Sequence, residues 1–538
     1  IQKQFREIKG TTVIIYDQTC ATEKRRRRKR GKLADPEKRV VINELVCEGC
    51  GDCSVQSNCM SVEPLETEFG RKRQINQSTC NKDFSCIKGF CPSFVTVEGG
   101  SLKKATKPKA GESQVASWPA LPDPLIPDVA TVPGGVWGTI VAGVGGTGVI
   151  TIGQLLGVAA HLEGKGIVTQ DAGGLAQKGG ATWSHVLIGA SQDAIRTTRV
   201  GTASADLVLG CDPIVVAGKE TLVRMRPGRT HVALNSNSAP TAAFVKNANW
   251  TNPGEQCVAD IAKTVGEGNL GVFDADAAAT HLLGDSIYTN PMMLGYAWQK
   301  GWIPLGFASL MRAIELNAVA VANNKAAFEW GRRAAVDWPA VQRVINPGQV
   351  IAFTPRQQQS LDTLVNKRVE FLMAYQNAAY AQSYADFVAK VRAAEVSAVG
   401  GDKLPLAEAV ARYLFKLMAY KDEYEVARLH TDTTFRAKVE GMFEGDFKLA
   451  YHLAPPLLAR KNDLGELQKM RFGGWMRMAW APMASRLPIR ISCQTSTSLA
   501  AMRVKSRNPE PAIFQYSGLA SCICKPLINA NESKCGTW

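Results

Sequence analysis

Residues 47–59 read CEGCGDCSVQSNC, and residues 80–92 read CNKDFSCIKGFCP. These two segments hold half of the fourteen cysteines in the 538-residue chain. The first contains the spacing CxxCxxC, which lets three thiolates bind three irons of one cluster and which zinc ribbons do not use. The second repeats that frame with Asp83 in the slot of the middle cysteine. The spacing therefore favours iron–sulfur ligation over a disulfide framework.

Two such motifs in succession resemble a bacterial two-cluster ferredoxin, in which the last cysteine of each motif ligates the other motif's cluster. The resemblance implies two ligand sets, Cys47, Cys50, Cys53 and Cys91 for a first [4Fe-4S] cluster and Cys59, Cys80, Asp83 and Cys86 for a second. A carboxylate is a harder ligand than a thiolate and binds iron less firmly. We therefore expect the second cluster to lose an iron more readily and to give a three-iron [3Fe-4S] form.

The composition is that of a folded protein with several domains. The chain has 63 basic and 48 acidic side chains, a net charge of +15, with 45% apolar and 21% charged residues. These values exclude wholesale disorder and a collagen-like fibre. The uncharged stretch at residues 134–160 is too rich in glycine for a membrane span, and we expect no signal peptide. We expect a cytoplasmic protein, and the initial Ile1 suggests a piece of a longer one.

The first 34 residues contain two contrasting segments. Residues 1–20 are expected to form a helix, a turn and a buried strand at Thr12–Tyr16, as at the end of an α/β domain. The block Lys24–Lys32 is almost entirely basic, which favours a solvated arm. It also fits a surface that attracts an acidic ferredoxin. Nucleic acid is a weaker alternative, because no aromatic platform accompanies the charge.

A glycine-rich α/β segment follows a connector that is rich in Pro, Lys and Ala. The pattern predicts a strand at Thr139–Ala142, a helix at Val149–Leu162 and a strand at Ile167–Gln170. The turn between the first two carries GxGxxG, which suits a phosphate at a helix N-terminus, and Asp171 follows where a ribose-binding acid could lie. An NAD- or flavin-dependent oxidoreductase is thus an alternative function. The motif alone is weak, since such turns also occur in proteins that bind no dinucleotide.

A second glycine-rich loop around Gln177 and Lys178 leaves main-chain amides open to an anion or a domain interface. The candidate cofactor-binding residues of the two loops are Gly143, Gly145, Gly146, Gly148, Gly179 and Gly180. Strands alternating with helices after residue 205 predict a mostly parallel, doubly wound sheet. Apolar residues at helical spacing then predict helices beyond residue 347.

The order of these parts resembles the fused indolepyruvate ferredoxin oxidoreductases, within the 2-oxoacid:ferredoxin oxidoreductase family. The resemblance rests on YDQTCATEKRRRRKRG, NELVCEGCGDC, ETEFGRKRQINQSTCNKDFSCIKGFCPSF, GVGGTGVITIGQLL and GDSIYTN, and it covers residues 1–470. It implies an α/β and α+β multidomain protein with these regions: the end of a thiamine diphosphate-binding domain (1–34), a ferredoxin-like module (35–100), a linker (101–133), a γ-type α/β domain (134–340), an α-helical domain (341–470) and an anomalous tail (471–538).

The same resemblance implies the oxidation of aryl pyruvates to acyl-coenzyme A with reduction of ferredoxin. Thiamine diphosphate and Mg would be bound before Ile1, so the chain by itself is expected to be inactive, and we assign it no catalytic residue. The expected partners are ferredoxin, the thiamine diphosphate-binding region and further copies of the chain. Beyond Arg471 the pattern departs from the family, as after a shift of reading frame, and Cys493, Cys522, Cys524 and Cys535 have no ligand spacing.

Overall fold

The computed structural model describes residues 1–103, 118–173, 180–247, 249–345, 360–400, 404–454, 459, 468–478 and 480. The helices are α1 (Gln2–Arg6), α2 (Ala21–Lys29), α3 (Asp52–Ser57), α4 (Val149–Leu162), α5 (Pro213–Val216), α6 (Lys219–Leu222), α7 (Ala242–Lys246), α8 (Gly254–Val265), α9 (Ala275–Leu283), α10 (Thr289–Gln299), α11 (Phe307–Leu316), α12 (Val321–Val336), α13 (Trp338–Ile345), α14 (Leu361–Tyr375), α15 (Ala378–Val399), α16 (Pro405–Met418), α17 (Glu423–Thr431) and α18 (Thr433–Met442). The strands are β1 (Lys38–Ile42), β2 (Val62–Thr67), β3 (Gly70–Ile75), β4 (Phe94–Glu98), β5 (Ser101–Leu102), β6 (Val136–Val144), β7 (Gly166–Gly173), β8 (Ala181–Gly189), β9 (Leu207–Gly210), β10 (His231–Asn235), β11 (Leu270–Phe273), β12 (Phe443–Glu444), β13 (Lys448–Leu453) and β14 (Met470–Phe472).

The cysteine-rich segment is built from two small antiparallel sheets. β1 pairs with β4, which aligns Val40 with Thr96, and β2 pairs with β3 in a hairpin. A compact apolar cluster between them includes Val40, Val62 and Phe94 together with cysteines of both motifs. The cysteines therefore form a large part of this small core.

The α/β segment contains a six-stranded sheet of order β11-β10-β9-β6-β8-β7. Five strands run in one direction, and only β8 is antiparallel to its neighbours. Apolar cores lie on both faces, one including Leu156, Met292 and Trp298 and the other including Val216 and Ile261. The mostly parallel, doubly wound arrangement is thus confirmed. Helix α4 has the predicted bounds, while β6 and β7 are longer than predicted.

The insertion of β8 changes the predicted strand–helix–strand unit. β6 and β7 do not pair with each other, because β8 hydrogen-bonds to both. Asp171 lies exposed on β7, opposite Ser184 of β8. It is therefore two strands away from β6, or roughly 10 Å at the usual strand spacing, and not beside the glycine turn. The position that we assigned to a ribose-binding acid is wrong.

The helical prediction for the C-terminal region holds for part of it. Helices α14, α15 and α16 pack around Leu372, Tyr384 and Leu414, so the periodic apolar residues are core. The same region also contributes strands, because β13 pairs with β4 and β14 pairs with β13. These strands extend the sheet of the cysteine-rich segment. An entirely helical C-terminal domain is therefore a wrong expectation, and the two segments share one sheet.

Three local expectations also fail. Residues 12–16 form no strand, and Ile15 is 87% exposed, because a strand needs partners for its backbone groups and none is paired here. The expected linker at 101–133 is not free of paired structure, since β5 at its start pairs with β12. The basic block is not an extended arm, since residues 21–29 form helix α2, but Arg26, Arg27 and Lys29 on this helix are exposed to solvent.

Folded structure also extends past Arg471, where we expected the anomalous tail to begin. Arg471 and Phe472 lie within β14, and Trp480 is 3% exposed beside Tyr451. Packed structure therefore continues to Trp480. The rest of the expected tail and its four cysteines lie outside the described residues. Within the described residues, no helix is both long and apolar enough to cross a membrane.

Candidate metal centre

The two cysteine motifs adopt the same local structure. In the first, the Asn43 side-chain oxygen accepts the amide two residues later, and the Cys47 N–H donates to the Asn43 carbonyl at 3.0 Å. In the second, Asn76 does the same, and the Cys80 N–H donates to its carbonyl at 3.1 Å. Asparagine favours such turns because its side chain replaces a backbone acceptor. The turn presents the first cysteine of each motif to the core.

The duplication extends to the sulfur atoms. The Gly49 N–H donates to Cys47 Sγ at 3.3 Å, and the Lys82 N–H donates to Cys80 Sγ at 3.4 Å. Both donors have a positive φ, 67° for Gly49 and 53° for Lys82. A Cβ on Gly49 would stand 2.3 Å from the Arg71 carbonyl oxygen, so that position requires glycine. Equivalent residues from Asn43 to Cys53 and from Asn76 to Cys86 are 33 positions apart, which identifies the segment as an internal repeat.

The sulfur atoms fall into two groups. The charged neighbours that act most strongly on the Cys53 thiol are Cys47, Cys91 and Cys50. Those acting on the Cys86 thiol are Cys80, Cys59 and Asp83, followed by Cys53. We call these the first group (Cys47, Cys50, Cys53 and Cys91) and the second group (Cys59, Cys80, Asp83 and Cys86). Each group includes one cysteine of the opposite motif, as in the two expected ligand sets, and the ligation itself stays a prediction.

Burial controls the acidity of these thiols. It raises the pKa of Cys50 to about 11 and that of Cys53 to about 12, and it raises the pKa of Cys86 still further. The bare thiols are therefore protonated at neutral pH. Iron is bound by thiolates, so iron binding would release the thiol protons. The bound iron would then offset the cost of ionising these sulfurs. Every described cysteine is a thiol and not part of a disulfide.

The arrangement is not that of a single-ion site. In the ranges described above, no three His, Cys, Asp or Glu side chains converge on a point that could hold one metal ion. A four-iron cluster is built differently, because each ligand binds its own iron. Buried thiols, N–H donors to Sγ and the grouping in fours suit such a cluster.

Asp83 occupies the repeat position of Cys50, and both residues are exposed. Its Oδ1 accepts hydrogen bonds from the Ser85 amide at 3.3 Å and the Ser85 hydroxyl at 3.1 Å. The carboxylate therefore begins the short helical turn that contains Cys86. Its assignment as an iron ligand remains a prediction.

Helix α2 covers the second motif. Arg28 donates to the Asn81 carbonyl at 2.6 Å, and Arg25 donates to the Ser78 carbonyl at 3.4 Å. Burial lowers the pKa of Arg25, while Asp285 and then Cys80 oppose that shift. The basic block thus fixes the loop before and after Cys80. Charge composition alone gave no signal for this packing.

The first motif is covered from helix α17. His430 is 2% exposed, its Nε2 lies 3.0 Å from the Pro92 carbonyl oxygen, and its Nδ1 lies 3.2 Å from the Asn43 side-chain nitrogen. Burial lowers the pKa of His430 to about 4. A neutral ring that donates from Nε2 and accepts at Nδ1 satisfies both contacts. Trp480 stacks on this ring at a centroid distance of 5.4 Å.

The glycine turn after β6 has a largely structural explanation. A Cβ on Gly143 would lie 2.7 Å from the Cys211 Cβ, so this glycine allows close packing of the sheet. Gly146 and Gly148 have positive φ, and the Gly145 N–H donates to the Gly180 carbonyl at 2.7 Å. At least one amide of the turn is therefore committed within the protein. Gly179 lies outside the described residues, as do Gln177 and Lys178.

A cavity of about 210 Å³ lies beside this turn, between the ends of the parallel strands and the β2–β3 hairpin. Burial raises the pKa of Glu63 to about 7 and that of Asp276 to about 6, and both carboxyls line the cavity. Amide and hydroxyl side chains such as Asn235 and Thr289 complete the wall. Acidic lining does not favour a diphosphate, so the turn's role in cofactor binding stays a prediction.

Comparison with known proteins agrees with this architecture. Residues 139–334 match the family model described as pyruvate ferredoxin/flavodoxin oxidoreductase. Two relatives named indolepyruvate oxidoreductase subunit IorB are each 27% identical to the chain. The Pyrococcus horikoshii protein aligns over 199 residues, which is 36% of this chain and 94% of the relative. The Methanothermobacter thermautotrophicus protein aligns over 177 residues, which is 33% of this chain and 85% of the relative.

Residues 139–334 of the chain are thus similar to the pyruvate ferredoxin/flavodoxin oxidoreductases. Among solved structures, the chain is similar to the γ subunit of a Geobacter sulfurreducens keto/oxoacid ferredoxin oxidoreductase, with 20% identity and a TM-score of 0.27 over 37% of this chain and 98% of that one. It is also similar to subunit PORC of Thermotoga maritima pyruvate oxidoreductase, with 19% identity and a TM-score of 0.27 over 37% and 96%.

A second family model covers the C-terminal region of the chain. Residues 361–493 match a family of unknown function, DUF6537. The match continues past Arg471, where we expected a departure from the family. It agrees with the packed strand β14 and with the burial of Trp480.

Proposed function

We propose that this chain is the electron-transfer and γ-type portion of an enzyme that oxidises an aryl pyruvate to an acyl-coenzyme A and reduces ferredoxin. The first group of sulfurs would hold a [4Fe-4S] cluster. The second would hold another cluster, with Asp83 as one ligand. These clusters supply one-electron carriers whose potential depends on charge, hydrogen bonds and exposure.

The observation that carries the proposal is the division of the two motifs into two groups of four. Each group contains one cysteine contributed by the other motif, Cys91 in the first and Cys59 in the second. Neither a disulfide framework nor a zinc ribbon accounts for this exchange. The two groups are adjacent, because Cys53 and Cys86 belong to the same apolar cluster. Adjacent clusters suit stepwise passage of electrons.

The chain's own residues would hold and shield the clusters. The amides of Gly49 and Lys82 donate to cysteine sulfurs, which stabilises the ionised form of a thiolate ligand. His430 and helix α2 fix the two cysteine loops from distant parts of the sequence. Phe94 and the other buried apolar residues exclude water from the sulfurs.

The substrate class rests on the relatives that are named indolepyruvate oxidoreductase subunits. We infer that chemistry on the 2-oxoacid occurs at thiamine diphosphate and Mg held by another region or subunit, and that this chain alone does not turn over. Coenzyme A would be the acyl acceptor, and a cytoplasmic homo-oligomer with ferredoxin as partner is the arrangement we propose.

The two alternatives from the sequence receive less support. A dinucleotide enzyme would place an acid beside the glycine turn, and Asp171 is two strands away. A nucleic-acid protein would use its whole basic block for binding, and Arg25 and Arg28 instead bind backbone carbonyls near Cys80.

The test is the iron and acid-labile sulfide content of anaerobically purified protein, with electron paramagnetic resonance after dithionite reduction. We expect about eight irons per chain and spectra of two interacting reduced clusters. About four irons would keep the first cluster and remove Asp83 from the ligands. An iron-free protein that contains zinc would overturn the proposal.

A further inference from the structure

The C-terminal region completes the surroundings of the cysteine groups. Its strands β13 and β14 extend the sheet that begins with β1 and β4. Its side chains also reach the motifs, since Lys421 donates to the Cys47 carbonyl at 3.4 Å. The family model for this region gives no function. The contacts raise the question of what it contributes to electron transfer.

Lys469 is a residue of this region that contacts the core of the cysteine-rich segment. It precedes β14, and its ammonium donates to the Ile87 carbonyl at 3.1 Å, one residue after Cys86. The same ammonium lies 5.2 Å from the centre of the Phe94 ring, and Phe94 belongs to the core that contains the cysteines. The long side chain is thus anchored beside the second motif and directed into the module.

The charge of Lys469 acts on both groups. The groups that raise the pKa of Lys469 when they are ionised are, in order of strength, Cys91, Asp52, Cys86 and Cys53. Two belong to the first group and one to the second. Burial lowers the pKa of Lys469, and these negative neighbours oppose that effect. Burying an ammonium group costs free energy unless a negative charge lies close by. The cysteines supply that charge only as thiolates, which is the form that binds iron.

We propose that Lys469 supplies a positive charge shared by the two iron–sulfur clusters, and that the C-terminal region serves to place this charge. The inference rests on the proposed function. A cluster gains one negative charge when it accepts an electron, so a nearby fixed cation stabilises the reduced form. A cation between two clusters favours reduction of both. Lys469 is a positioning residue, because it binds main chain and ring, not iron.

The experiment measures the midpoint potentials of both clusters in the reconstituted full chain, by redox titration followed with electron paramagnetic resonance. Lys469→Met and Lys469→Gln remove the charge, and Lys469→Arg keeps it. The matched control is Lys367→Met, which removes another lysine of the same region that pairs with Glu68 in the β2–β3 turn. Iron and sulfide content is determined for every variant.

We expect both neutral variants to have lower potentials, with the reduced fraction at a fixed potential falling about tenfold, or 59 mV for one electron. Lys469→Arg and Lys367→Met should match the wild type. If both neutral variants lose iron while Lys469→Arg retains it, the charge is needed to hold the clusters, which also supports the inference.

Unchanged potentials in fully loaded Lys469→Met and Lys469→Gln would overturn the inference and leave the proposed function intact. A downward shift that is equal in Lys367→Met would also overturn it, because the effect would then be general to the interface. A wild-type chain that binds no iron would overturn the proposed function and the inference together.

Discussion

The two cysteine motifs share a backbone but differ in what surrounds them. Both have an asparagine turn and an amide that donates to the first sulfur. The first has cysteine at every slot of the frame and is covered by the neutral ring of His430. The second has Asp83 in one slot and is covered by the arginines of α2. A repeat can therefore keep its local geometry while its covering elements make the two sites chemically different.

The largest effect should come from removing a ligand that crosses between the motifs. Cys91→Ala should abolish the first cluster, reduce iron from about eight to about four or fewer per chain, and destabilise residues 40–95, because so small a core depends on its metal. Iron analysis and limited proteolysis measure this. Cys257→Ala, a thiol on α8 outside both groups, is the control. Full iron in Cys91→Ala would contradict the exchange of ligands.

The second change makes the motifs alike. Asp83→Cys should give the second cluster four thiolate ligands and slow its conversion to a three-iron form under mild oxidation. The measurement is the intensity of the three-iron electron paramagnetic resonance signal against time of exposure to oxidant. Asp83→Ala is the matched variant, and it should lose iron faster than the wild type. Identical time courses in all three proteins would show that Asp83 is no ligand.

Acidification should destabilise the fold around the first motif and stabilise the fold around the second. Burial lowers the pKa of His430 to about 4, so between pH 6.5 and 4 the unfolded chain binds the additional proton and stability is lost, by up to about 3 kcal/mol. Burial raises the pKa of Glu63, which accepts a hydrogen bond from Asn76, to about 7. Between pH 7 and 4.5 the folded chain binds that proton, so this part of the second motif gains stability.

Hydrogen exchange against pH measures this difference. After correction for the intrinsic exchange rate at each pH, we expect lower protection factors at residues 43–47 and 91–93 on acidification, with less change at 76–81. His430→Gln has no proton to gain and should flatten the response of the first motif. An equal loss of protection in both motifs of the wild type would contradict the different roles assigned to His430 and Glu63.

Several features were predictable because they depend on local sequence. The bounds of α4 follow from the apolar spacing after Gly148. The ligand frame of the motifs follows from cysteine spacing alone. The repeated Asn43 and Asn76 are a further local signal, because they precede the first cysteine of each motif by the same four residues and so mark the duplication.

Other features depend on contacts between distant residues. The expected strand at Thr12–Tyr16 has suitable residues, but no strand pairs with it in the described structure. β8 inserts between β6 and β7, and nothing in the sequence of α4 indicates this. The basic block forms a packed helix because the carbonyls of Ser78 and Asn81 accept hydrogen bonds from its arginines. The charge of the block predicts repulsion among its arginines, but it does not reveal the carbonyl groups that accept hydrogen bonds from them.

The cysteine frame, the doubly wound class of the central sheet and the helices that follow it are encoded locally, because spacing and periodicity are properties of neighbouring residues. What covers each motif depends instead on tertiary contacts. They bring His430 to Pro92 and Lys469 to Ile87 across more than 300 residues of chain. Such contacts form because buried polar groups need partners, and any segment that the fold brings near can provide them.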